Sequence, residues 1–397
     1  MLLPLIALLA IAPTESPAAA AQPPTGEEAP AAQLEPAFLD FARAVEKGMN
    51  ARDGDALDAH LDTEALFKKT IEGVKVRPDF AAGFKQGLQK GTVLGLGKKL
   101  VERFDDQSSF TLLRARTLKG VPRALFRTIS GAGLNYLDLE LSRDATGKVS
   151  VVDIYPYTAG EFFSETLRRS FLAAAAETNQ GLVDRLMGKE QTYLKNLPRI
   201  QAMQQAFQAG KYEEVLRLYG ELPASLKNDK TPLFFRLHAA SRQSVQGDAY
   251  AQAIADYEKA LPNDPSLDLV SIDGCLLRKD HAGALRAIDR VDRRARDPYL
   301  SVLRGNVMVD KGDSAEARRH YEAAITGEPS LLVAHWSLAG LALQEKQYRE
   351  LGERLDAIEA TGLVQLNDLE SVAAYEGFVK SPEYKAWKKR RAAKKRP

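Results

Sequence analysis

One glycine, two alanines, a tyrosine and a proline spaced along residues 298–331 constrain this chain more than its composition does. In PYLSVLRGNVMVDKGDSAEARRHYEAAITGEPSL, Gly305, Ala317, Tyr321, Ala324 and Pro329 fall at positions 8, 20, 24, 27 and 32 of a unit of about 34 residues. Small residues at three of those positions let two antiparallel helices approach closely. The aromatic fills the gap between one hairpin and the next, and proline stops the second helix because it lacks an N–H and clashes with the preceding turn. Lys311-Gly312-Asp313 supplies the turn inside the hairpin, with Asp313 or Ser314 as the helix N-cap.

The spacing recurs. Ala253, Tyr257, Ala260 and Pro265 repeat it upstream, and Gly210, Val215, Tyr219 and Leu222 repeat it again. Ala284, Ile288 and Val291 form a weaker set, and Trp336, Ala339, Leu351, Leu355 and Ile358 continue it. These positions predict about five helix hairpins, beginning near 196, 231, 265, 298 and 332. Over 196–364 the chain resembles the tetratricopeptide repeat family. The alternative is an irregular helical domain with chance Ala/Tyr spacing. The resemblance implies an all-α solenoid of helical hairpins whose first helices line a concave groove for a protein or peptide. By register the groove positions are Gln204, Phe207, His238, Arg242, Asp273, Tyr299, Asn306 and Trp336. Arg242 and Asn306 suit a peptide backbone or carboxylate, and Phe207 and Trp336 suit apolar anchoring. The Lys/Asn/Arg set of chaperone-binding dicarboxylate clamps is absent, which argues against a cochaperone role.

Residues 34–160 follow a different period. PAFLDFARAVEKGMNAR places Phe38, Phe41, Ala42 and Val45 on one helical face, a second short helix starts at Gly54-Asp55, and a glycine-interrupted helical stretch spans 78–104. Four strands follow in SSFTLLRARTLKG, VPRALFRTIS, LNYLDLELSRD and KVSVVDIYPY, with Lys119-Gly120 and Ala145-Thr146-Gly147 as turns. Helices followed by a curved antiparallel sheet make an α+β domain that resembles the cone-shaped nuclear-transport-factor-like family. That resemblance implies an interior where an acid could work, for which Tyr136, Asp138, Asp153 and Tyr155 are the candidates. Asp138 alternates with Leu137 and Leu139 and is expected to face solvent. A regular last strand puts Asp153 on the face of Val149 and Val151.

The remaining segments frame these two. Leu2–Ala12 is an apolar run of signal-peptide length followed by small residues, so 1–21 reads as an export signal and 22–33 as a disordered spacer. This predicts an exported, periplasmic protein; an uncleaved N-terminal anchor is the alternative. Residues 161–195 read as connecting and capping helices, including stripes through Phe163, Leu167 and Phe171 and through Leu182, Leu186 and Tyr193. Residues 365–397 read as C-terminal capping helices ending in a basic tail. That tail, 388–397, holds seven Lys or Arg and no acid; without it the net charge of +2 becomes −5. It suits an anionic envelope surface or a solvated helix end, and no nucleic-acid partner is expected of an exported chain. Cys275 is the only cysteine, which excludes an intrachain disulfide, and it reads as a buried structural thiol. The five histidines show no ligand spacing, and no phosphate loop or nucleophile motif is present, so neither metal nor cofactor is expected. The expected function is a non-catalytic adaptor that holds a protein or peptide in the groove. The alternative is a small-molecule-binding or isomerase-like cone tethered by the repeats.

Overall fold

The computed structural model describes residues 35–74, 77–89, 95–105, 108–130, 133–178, 192, 195–243, 248–262, 264, 266–364, 366 and 369–394. The sequence readings of residues 1–21 and 22–33, and of Leu182, Leu186 and Tyr193, lie outside that set. The chain divides into two compact units at Lys279/Asp280. Among the described residues no helix is long and apolar enough to cross a membrane.

The first unit opens with helices α1 (Pro36–Asn50), α2 (Asp55–Asp58), α3 (Thr63–Ile71), α4 (Pro78–Gln89) and α5 (Leu96–Val101). Gly95, at φ +65°, sits in the left-handed region ahead of α5. Strands β1 (Ser109–Leu118), β2 (Val121–Ser130), β3 (Gly133–Arg143) and β4 (Val149–Pro156) form an antiparallel meander in the order 1-2-3-4. Lys119 and Gly120 both take positive φ, the geometry of a two-residue hairpin turn whose twist matches the flanking strands. Asp144 organises the last turn by accepting from the backbone N–H groups of Thr146 and Lys148.

One face of the sheet packs on the helices. Phe110, Ala124, Phe126, Leu137, Leu139, Val151 and Ile154 meet Phe38, Ala42, Val45 and Met49 of α1, Leu66 and Phe67 of α3, and Phe163, Leu167 and Phe171 of α6 (Phe163–Thr178). The other face is buried too, which overturns the expectation for Asp138. This carboxylate is fully buried, because both faces of β3 are covered rather than one.

Two β-bulges decide what that second face carries. In β1, Leu112 pairs with Phe126 but Arg114 pairs with Leu125, so Leu113 is an extra residue. In β4, Val151 pairs with Leu141 but Asp153 pairs with Glu140, so Val152 is extra. Each bulge breaks the period-2 alternation. Arg114 and Arg116 therefore leave the face of Phe110 and Leu112, and Asp153 and Tyr155 leave the face of Val149 and Val151. The expected placement of Asp153 beside those valines is thus corrected.

Beyond α6 the described residues are helical. In the first unit α7 (Leu197–Gln208) pairs with α8 (Tyr212–Gly220), α9 (Lys230–Gln243) pairs with α10 (Asp248–Ala260), and α11 (Leu267–Leu277) packs on α10. The second unit holds α12 (His281–Ala295), the pair α13 (Tyr299–Lys311) and α14 (Ser314–Gly327), and the pair α15 (Leu332–Gln344) and α16 (Tyr348–Ala360). The division into units falls inside the third expected hairpin, between α11 and α12. Asp313 caps α14 by accepting from the Glu316 N–H at 3.1 Å, and Gly312 at φ +85° ends α13.

The second unit closes with α17 (Pro382–Lys394), whose Tyr384 and Trp387 join Leu351, Leu355, Ile358 and Phe378 in one core. The Ser381 hydroxyl caps α17 by accepting from the Tyr384 N–H. The stretch before it is not one continuous helix. It runs through two 3₁₀ turns, Leu369–Ser371 and Ala373–Tyr375, and one α turn, Glu376–Val379. Val372 interrupts it with extended dihedrals and is exposed, while Leu369 and Phe378 reach the core.

Candidate functional site

The helical positions read from the repeat register divide sharply. In the first unit Arg242 is exposed on α9 and Gln204 is half-buried on α7. Phe207 and His238 are inside. Phe207 packs in the core of the first two hairpins against Tyr212 and Phe235, and the His238 ring lies 4.0 Å from that of Phe234. Burial, with the charge of Arg242 adding to it, lowers the His238 pKa to about 3, so this imidazole is neutral. Asp273 is also buried, and its Oδ2 accepts from the Tyr250 hydroxyl at 3.4 Å. These three side chains pack between helices of neighbouring hairpins rather than facing outward. In the second unit Asn306 is exposed, with Oδ1 accepting from the Tyr321 hydroxyl at 2.8 Å. Tyr299 and Trp336 are half-buried against apolar cores.

The residues singled out on the sheet come together, with others that sequence reasoning missed. The face turned away from the helices carries Arg116 opposite Arg123, Leu125 opposite Asp138, Glu140 opposite Asp153, and Asp138 opposite Tyr155. Arg116 Nη2 donates to Asp138 Oδ2 at 2.7 Å, and Arg123 Nη2 donates to Glu140 Oε2 at 2.8 Å. Lys69 of α3 bridges Glu140 at 2.5 Å and Asp153 at 3.5 Å. Phe162 covers the Arg123 guanidinium at 5.2 Å and the Lys69 ammonium at 5.6 Å, and meets Tyr155 edge-on. Tyr157 contacts both Tyr136 and Tyr155.

The two aspartates differ. Asp153 has a structural assignment: its Oδ1 accepts from the N–H groups of Ile154 and Ser164, and its Oδ2 from the Ser164 hydroxyl at 2.6 Å, anchoring the start of α6. Burial raises its pKa, opposed by those Ser164 hydrogen bonds and by Lys69. Burial also raises the pKa of Asp138, opposed by the charges of Arg116 and Arg123. Asp138 Oδ1, Arg116 Nη1, and Arg123 Nε and Nη1 have no hydrogen-bond partner among the described residues. Buried polar atoms are seldom left so, and several in one place call for an explanation. The sequence signal was present in RARTLKGVPRALFR, where arginines recur every few residues. The turn at Lys119-Gly120 sets Arg116 opposite Arg123, and the bulge at Leu113 separates Arg114 and Arg116 from the face of Phe110 and Leu112.

No family model, curated protein or solved structure matches the chain. Among the described residues no three His, Cys, Asp or Glu side chains converge as metal ligands.

Proposed function

We propose that this chain is an exported, non-catalytic binding protein whose hairpins are of the tetratricopeptide kind and hold a protein or peptide partner. The observation that supports the repeat assignment is the contact between Gly305 and Tyr321. A Cβ on Gly305 would lie 2.3 Å from Tyr321 Cε1, so any side chain at position 8 would clash with the aromatic of position 24 unless the ring shifts. Arg242 and Asn306, exposed on the first helices of their hairpins, are the polar groups offered to a partner. The side of the sheet that faces the helices is filled by phenylalanine and leucine side chains, which favours this reading over an isomerase-like cone. Site-specific photo-crosslinkers at 242 and at 306 of the full chain test it. Partner adducts are expected from each of these positions and not from 349 on α16, where Arg349 is exposed beside Glu353. Adducts only from 349 would overturn the proposal.

The basic tail enters this reading in reduced form. Lys388 pairs with Glu370 at 2.6 Å, and Arg391 Nε donates to Glu359 at 2.8 Å, so both secure α17. Lys385, Lys389 and Arg390 stay exposed for an anionic envelope surface. Vesicles containing anionic lipid should bind the full chain in low salt, and binding that survives deletion of 388–397 would remove this role.

A further inference from the structure

We propose that the sheet face turned away from the helices binds an oxyanion, a carboxylate or phosphate group, through Arg116 and Arg123. The two residues are directly opposite each other on β1 and β2, so their stems run side by side on one face. Both are more than nine-tenths buried. Each has spent one nitrogen on an acid, Arg116 on Asp138 and Arg123 on Glu140. Arg123 Nη1 also lies 4.0 Å from Asp138 Oδ2. Three guanidinium nitrogens then remain without a hydrogen-bond partner among the described residues, against a single carboxylate oxygen, Oδ1 of Asp138.

That imbalance selects the ligand. Water can accept from these N–H groups, but it brings no negative charge to them. An oxyanion offers acceptors alone, in the spacing that a guanidinium meets with two parallel N–H groups. Arg114 and Arg127 flank the pair on the same face and strengthen the positive field. Phe162, lying over Arg123, shields the guanidinium from water and leaves its edge for hydrogen bonding. Asp138 orients Arg116 and at the same time opposes the incoming charge. The acid candidates Tyr136, Asp138, Asp153 and Tyr155 lie on this same face, where Asp138 pairs with Arg116. The site is independent of partner binding by the hairpins.

The test uses the full chain at constant ionic strength and pH 7, titrated separately with inorganic phosphate, followed by phosphorus NMR line width, and with acetate, followed by proton saturation transfer. Saturable binding of either probe is expected, and which probe binds names the source of the oxyanion. Arg116→Gln and Arg123→Gln should each weaken that binding by roughly tenfold or more, the loss of a charged hydrogen-bonding fork. Asp138→Asn keeps both arginines and removes the opposing charge, so it should tighten binding severalfold. No saturable binding of either probe overturns the proposal, as does binding unchanged in both arginine variants. Should those variants fail to fold, Asp138→Asn decides alone: unchanged or weaker binding overturns it.

Discussion

Replacing Gly305 by alanine should destabilise the second unit, although alanine is the better helix former. The gain from propensity is about 1 kcal/mol. Against it, the new methyl would sit 2.3 Å, 2.7 Å and 2.8 Å from Cε1, Cδ1 and Cζ of the Tyr321 ring, far inside contact distance. Tyr321 is buried, so the ring cannot swing into solvent, and displacing it also strains its 2.8 Å hydrogen bond to Asn306. Overpacking costs about 1–3 kcal/mol and the strained hydrogen bond about 1 kcal/mol. The net expectation is a loss of about 1–3 kcal/mol. Gly340 on α15 is the matched control: it is exposed, and a Cβ there meets nothing within 4 Å. Gly340→Ala should therefore stabilise by about 0.5–1 kcal/mol. Urea unfolding followed by circular dichroism measures both, provided the slope against urea is unchanged. Adding Tyr321→Leu to Gly305→Ala should recover part of the loss, since the smaller side chain vacates the clash. If Gly305→Ala matched Gly340→Ala in sign, the close packing of α13 on α14 and the repeat reading built on it would be refuted.

Three more expectations concern other sites. His238 has a folded-state pKa of about 3, below its unfolded value of about 6.5, so the unfolded chain takes up a proton that the folded chain refuses. Its contribution is complete above pH 6.5 and is lost as pH falls towards 3; urea midpoints from pH 7 to pH 5 should decline, and less steeply in His238→Leu. Trp387→Ala should cost about 3–5 kcal/mol, because the buried indole packs over Gly352 and donates to Asp356 Oδ1 at 2.8 Å, whereas Lys389→Ala should stay within about 0.5 kcal/mol. Equal melting temperatures for those two variants would contradict the capping role of α17. Asp153→Ala strips the start of α6 of its acceptor and leaves Lys69 with Glu140 alone. A loss of about 2–4 kcal/mol is expected, with Asp153→Asn milder, and a neutral Asp153→Ala would show that α6 does not depend on it.

Local chemistry made most of the architecture readable. Hairpins with starts near 196, 231, 298 and 332 follow from small and aromatic residues at helical spacing, and helices begin at Leu197, Lys230, Tyr299 and Leu332. The four strands and their turns follow from alternation and from Lys119-Gly120 and Gly147, residues that tolerate the backbone the turns need. The site was less readable because facing depends on register. An extra residue in a strand changes no local preference, yet at Leu113 and Val152 it turns Arg116 and Asp153 onto the other face. Exposure depends on what else packs nearby. Asp138 alternates with leucines as a solvent-facing residue would, but the second face of the sheet is covered. Phe207 and His238 occupy first-helix positions that could face a groove, but adjacent hairpins enclose them. The sequence by itself determined the helices, the strands and the close approach at Gly305, because those rest on neighbours within a few turns. Tertiary structure alone decided which charges share a face and which are cut off from water, because that rests on residues far apart in the chain.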